Sequence, residues 1–198
     1  MFPKKISTIL IFLIISFSSI ASVYSMEADV FVQSTVNRAS KVLSSNINKE
    51  EKIKKLKTIA SETVDIKIIG LYTLGSHREK LNDAQKEKYL ILFNQYFLKT
   101  FSSRLAEYSN PEIEVTGKEK LNEKYTIVSS SLIATEQRPE VKIDWRVYTK
   151  NNKNPLIRDL IIEGLSLART QKEEFSSIIQ SNDGNINALF KSLEDFIK

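Results

Sequence analysis

From Asp29 to about Ser109, apolar residues recur at three- and four-residue intervals, the period of helices with one covered face. Val32, Val36, Ala39 and Leu43 form one stripe; Ile53, Leu56, Ile59 and Ala60 form a second. The stretch from Val64 to Leu74 is apolar almost throughout, and Gly75 stands where a helix C-terminus favours a left-handed residue. Asp83 is expected to cap the longest helix, which runs to about Tyr108. It places Tyr89, Leu92, Phe93, Tyr96, Phe97, Thr100, Phe101 and Leu105 on one broad face, and Asn110-Pro111 closes it.

Beyond Pro111 the period falls towards two. Ile113, Val115 and Gly117 open a strand, Tyr125 to Ala134 forms another, and Val141, Ile143, Trp145 and Val147 alternate with Lys142, Asp144 and Arg146. After a polar turn at Lys150–Asn154, Leu156 to Leu167 is expected as a fourth strand with apolar residues on both parities. Helices resume near Gln171, and a last one covers about Ile186 to Ile197. Helices first, an antiparallel sheet next and helices again predict an α+β domain. The expected form is a curved sheet of about four strands, wrapped by N-terminal and C-terminal helices around an apolar cavity.

The start of the chain is different. Two lysines, Lys4 and Lys5, precede an uncharged run from Ile6 to Ile20, with small residues at Ala21, Ser22 and Ser25. This order predicts a secretory signal peptide over residues 1–25, cleaved near Ser25. Its apolar run of roughly 15 residues is shorter than the ~20 that span a bilayer. With no cysteine anywhere, a lipidated N-terminal cysteine is impossible. Residues 26–198 then form one domain, since five glycines and four prolines are scattered without a linker or repeat. About 173 residues can bury a core without disulfides.

Composition narrows the chemistry. Removing Lys4 and Lys5 from the 29 basic residues leaves 27 against 24 acidic ones, a net +3. Apart from Lys49–Lys57 these charges are interspersed, so a nucleic-acid partner is not expected. A single histidine, His77, and no cysteine remove thiol nucleophiles, zinc sites and most acid–base designs. Gly164-Leu-Ser166-Leu-Ala168 approximates the nucleophile elbow of hydrolases, but no histidine follows Ser166. Asp159 and Glu163 on one strand would stand about 13 Å apart at ~3.3 Å per residue, too far for a glycosidase pair. The glycines are too isolated to cradle phosphate. The chain therefore reads as non-catalytic, without a metal or cofactor.

The segment Asp159-Leu-Ile-Ile-Glu163-Gly164-Leu165-Ser166-Leu167, followed by Lys172 and Phe175, resembles the central motif of the MlaC or toluene-tolerance family. Asp65, the Leu71–Gly75 region, and Gln85 with Phe93 are similar to further family positions. Pro155 stands where the family usually has tryptophan, and Lys172 where it usually has arginine.

The resemblance implies a periplasmic phospholipid carrier that moves lipid between an outer-membrane lipoprotein complex and an inner-membrane ABC transporter with an MCE-domain subunit. It further implies a role in maintaining outer-membrane lipid asymmetry. The protein is expected as a monomer, with phospholipid as its ligand. The tails are expected against Leu71, Tyr72, Phe93, Phe97, Phe101, Val128, Leu132, Ile143, Trp145, Val147 and Ile162. Ordinary core packing competes at each of these positions. Ser129, Ser130 and Ser131 are expected only to line a strand edge. The alternatives are a lipid-free envelope interaction module, or an esterase using Ser166.

Overall fold

The computed structural model describes residues 26–150 and 154–198. The expected signal peptide and its cleavage point lie outside the described residues, as do positions 151–153 of the polar turn. Six helices flank one open sheet. The N-terminal helices are α1 (Ala28–Leu43), α2 (Lys49–Thr63), α3 (Ile66–Thr73) and α4 (Asp83–Leu105). The strands are β1 (Ile113–Asn122), β2 (Tyr125–Leu132), β3 (Val141–Tyr148), β4 (Leu156–Ile162) and β5 (Leu165–Ser166), antiparallel in sequential order. Helices α5 (Leu167–Gln180) and α6 (Ile186–Ile197) close the chain. The α+β class and the helix-wrapped antiparallel sheet are as the periodicity predicts.

Caps explain several boundaries. Asn82, rather than Asp83, caps α4: its side chain accepts from the Gln85 N–H at 2.9 Å, while the Gln85 side chain accepts from the Asn82 N–H at 3.1 Å. Asp83 becomes the first helical residue, where its charge complements the dipole. Gly75, at φ 56°, supplies the left-handed residue that stops α3. Gly70 serves close approach instead, because a Cβ there would stand 2.7 Å from the Phe93 ring.

The expected fourth strand does not run unbroken to Leu167. Glu163 and Gly164 have φ of 49° and 80°, the pair of positive values that a type I′ hairpin requires, so the chain reverses and Leu165 pairs back on Ile162. Helix α5 then starts at Leu167, four residues before the expected Gln171, because Ser166 caps it.

The two-sided apolar pattern of β4 has a specific cause. Arg146 pairs with Asp159 but Val147 pairs with Ile157, leaving Arg158 as a bulge residue. The bulge resets the parity, so Ile157 joins Leu160 and Ile162 on one face. Arg158, Asp159 and Ile161 take the other. There the Arg158 guanidinium stacks 3.7 Å from the Tyr148 ring centroid and donates to Asp65 and to the Tyr125 hydroxyl at 2.9 Å each. Desolvation would lower its pKa, but the hydrogen bonds to Tyr125 and Asp65 outweigh it and raise the value. Since Asp65 caps α3, this cluster fastens the helix to the sheet. The serines of β2 also lie elsewhere than expected, since β2 is flanked by β1 and β3 and is no edge strand.

Candidate functional site: an apolar layer open at one end

Residues directly opposite one another in an antiparallel sheet point to the same face, so the register sorts the expected lining. Three cross-strand rows share the inner face: Thr126–Val147–Ile157, then Val128–Trp145–Leu160, then Ser130–Ile143–Ile162. Leu132 extends this face one step beyond Ser130. All six expected sheet residues, Val128, Leu132, Ile143, Trp145, Val147 and Ile162, therefore lie on one surface. Val128, Ile143, Trp145 and Val147 belong to the same hydrophobic cluster as Phe93, Phe97 and Phe101 of α4, while Leu132 and Ile162 lie outside it.

Helices approach the sheet mainly at its flanks. Helix α1 packs on β1 and β2, and α3 and α5 on β4, while α4 packs principally on α2, α3 and α6. The centre of the inner face, around β3, is instead covered by long side chains. Aromatic rings suit this task, because they fill a deep interlayer space at small entropic cost.

The covering is uneven. Near the first row everything is buried: Val147 is 0% and Ile157 3% exposed. On α4 the matching region is equally dry, with Tyr89 and Phe93 packed on Phe175 in edge-to-face contacts at 6.4 and 6.2 Å. The Tyr89 hydroxyl, 2.7 Å from Thr73 Oγ1, is the polar atom that this packing must satisfy. Burial pushes the Tyr89 phenol above its ordinary pKa.

Towards the third row the layer loosens on its β3–β4 side, while Ser130 at 3% and Leu132 at 5% exposed stay buried on β2. Ile143 and Ile162 are half-buried, as are Phe97 and Phe101, which stack on each other at 5.6 Å and 10°. These two trends meet at one end of the molecule. The chain leaves α4 near Arg138, whose guanidinium sits over the Tyr108 ring, and enters β1 at Ile113, opposite Leu132. Ile143 and Ile162 belong to that same end of the sheet.

Two further expected lining residues lie apart from this cluster. Leu71 is half-buried, while Tyr72 is exposed with the Lys172 ammonium 5.5 Å from its ring centre. Three residues absent from the expectation belong to the layer. Leu160 shares the Trp145 row, a position legible from its spacing to Ile162; Ile157 enters only through the bulge, which no sequence pattern announced. Ser130 is 3% exposed and holds Trp145, accepting from the indole Nε1 at 2.8 Å and donating to the Ile143 carbonyl at 3.0 Å. It fixes the orientation of the largest ring on the inner face.

Two surface hollows lie elsewhere, one on α1 beside Val30 and Arg38, the other between α3 and α4 beside Lys67 and Leu90, and neither is lined by any expected tail-pocket residue.

Ser166 is placed as a cap. Its hydroxyl donates to Asp159 Oδ2 at 2.6 Å and accepts from the Arg169 N–H at 3.1 Å, with an extended φ of −71° rather than a strained elbow. Asp159 is 3% exposed; it also accepts from the Ala168 N–H at 3.0 Å and lies 3.4 Å from Arg146 Nη1. Both residues are fully engaged in joining β4 to α5. Among the described residues no three His, Cys, Asp or Glu side chains gather as a metal site, and no helix is long and apolar enough to cross a membrane.

Fold and site together define an α+β domain built around an apolar layer that is buried at one end and less completely covered on its β3–β4 side at the other. Residues 33–195 match the family described as MlaC protein, and the chain belongs to that family. Its fold is similar to that of a phospholipid-binding protein from Ralstonia solanacearum solved in complex with a phospholipid. The TM-score is 0.72 at 18% identity, over 87% of this chain and 97% of that one. Comparison with curated proteins finds no match.

Proposed function

We infer that this protein carries phospholipid, with the acyl chains held between the C-terminal half of α4 and the inner face of the sheet. The observation that carries this reading is the graded layer itself. Phe97, Phe101 and Ile143 stay half-buried in one hydrophobic cluster, and Ile162, directly opposite Ile143, is half-buried beside them. Family membership and the phospholipid held by the Ralstonia protein support the same ligand class.

The physics sets what such a carrier must do. Two acyl chains of roughly 30 carbons would cost more than ~20 kcal/mol if exposed to water, at about 0.8 kcal/mol per methylene. Because a bilayer and the layer lined by Trp145 and Phe97 are both apolar, transfer between them is nearly balanced and needs no covalent step. The inner face is apolar except for Thr126 and Ser130, both buried, with the Ser130 hydroxyl already bonded, so it selects for chains rather than headgroups.

The carrier acts in the periplasm, after removal of residues 1–25. It passes lipid between an outer-membrane lipoprotein complex and an inner-membrane ABC transporter with an MCE-domain subunit, and so maintains outer-membrane lipid asymmetry. Leu71 and Tyr72 belong to this lining only if α3 turns inward when lipid enters. Purified protein extracted with organic solvent is expected to yield one phospholipid per chain by mass spectrometry. An empty extract from folded protein overturns the carrier reading and favours a lipid-free interaction module.

A further inference from the structure

The third cross-strand row does not end at Ile162. Leu165 of β5 lies directly opposite Ile162, so Ile143, Ile162 and Leu165 form one line across β3, β4 and β5 on the inner face. Exposure rises along it, from half-buried Ile143 and Ile162 to Leu165 at 69%, the most exposed large apolar side chain among the described residues. The turn beside Leu165 faces open space: a Cβ on Gly164 would meet nothing within 4 Å. It is nonetheless rigidly placed, because Glu163 exchanges hydrogen bonds with Lys142 on β3. Its N–H donates to the Lys142 carbonyl at 3.1 Å, and its carboxylate accepts from the Lys142 N–H at 2.6 Å. Glu163 itself occupies a left-handed conformation, with φ 49°.

An isolated exposed leucine needs no explanation. Leu165 is not isolated, since it continues an apolar line into the layer, at the end where Phe97 and Phe101 also loosen. We propose that the β4–β5 hairpin is the lip of the portal through which an acyl chain enters and leaves, with Leu165 as its first apolar contact after the bilayer. Leu165 touches the chain in passage and not in its final seat, so it governs rates of loading and release without governing occupancy. The inference rests on the carrier function above.

The test follows uptake of a fluorescent-tailed phospholipid from phosphatidylcholine vesicles into the full mature protein. Leu165→Ser is expected to slow uptake and release together, each about fivefold, the rate equivalent of losing roughly half a leucine's burial free energy in passage. Lipid retained at equilibrium and the urea midpoint are expected to stay unchanged, because the residue is exposed. Ile91→Ser, at a 54% exposed apolar position on α4, serves as the control and is expected to keep the original rate. Unchanged kinetics in Leu165→Ser overturns the portal alone. Weaker retention with unaltered uptake does the same, by placing Leu165 in the seat, and equal slowing in Ile91→Ser reduces the effect to general vesicle adhesion. If the unsubstituted protein takes up no lipid, the carrier function falls and the portal with it.

Discussion

The two halves of α4 carry one aromatic stripe with one period, yet they live in different surroundings. At the N-terminal half, Tyr89 and Phe93 are 0% and 1% exposed and locked against Phe175 and Phe190. Four residues on, Phe97 and Phe101 stack mainly on each other and remain half-buried. The same residue type at the same spacing therefore does two jobs. The first half is core and supplies stability; the second is the wall we propose for the acyl chains, with its contacts left incomplete.

That contrast can be broken by substitution. Phe93→Ala should have the largest effect on stability, about 3–5 kcal/mol by urea denaturation, because it opens a cavity in the sealed end. If Phe93→Ala costs no more than Phe97→Ala, the two ends are not different. Asp159→Ala should follow at about 2–3 kcal/mol, since it strands the buried Ala168 N–H and the Ser166 hydroxyl at the joint between β4 and α5. An Asp159→Ala protein with an unchanged unfolding midpoint would show that this joint is not under load.

Phe97→Ala should cost only about 1–2 kcal/mol in stability, reflecting its partial burial, while lipid recovered on extraction drops severalfold. Full lipid recovery from that variant would move the seat away from α4. Smallest of all, Tyr72→Ala should change stability by within about 0.5 kcal/mol and leave lipid content as it was, because its exposed ring lies outside the cluster. A loss of lipid there would bring α3 back into the pocket, as the sequence reading expects.

Periodicity carried most of the architecture, because both the 3.6-residue and two-residue patterns report which face is covered. The aromatic stripe, the alternation of β3 and the closing helix from Ile186 to Ile197 were legible for that reason. What escaped was local backbone geometry. The bulge at Arg158 makes a one-faced strand look two-faced in sequence, and Glu163, an unusual residue for positive φ, hides the first half of a hairpin that Gly164 alone only hints at. The cap at Asn82 was masked by the equally good candidate Asp83 beside it.

For the site, alternation grouped the expected residues within each strand, and the register across strands puts all six on one face. Parity says nothing about depth, however, so the gradient from Val147 to Leu165 appears only once helices are laid over the sheet.

Trp145 offers the most direct test of where the tails lie. It is the only tryptophan in the chain, it sits 8% exposed in the middle row of the inner face, and Ser130 holds its indole. Its fluorescence should be strongly quenched when delipidated protein is loaded with phospholipid brominated in mid-chain, and not by the same lipid without bromine. Binding of both lipids with equal fluorescence would place the acyl chains outside this layer and contradict the account.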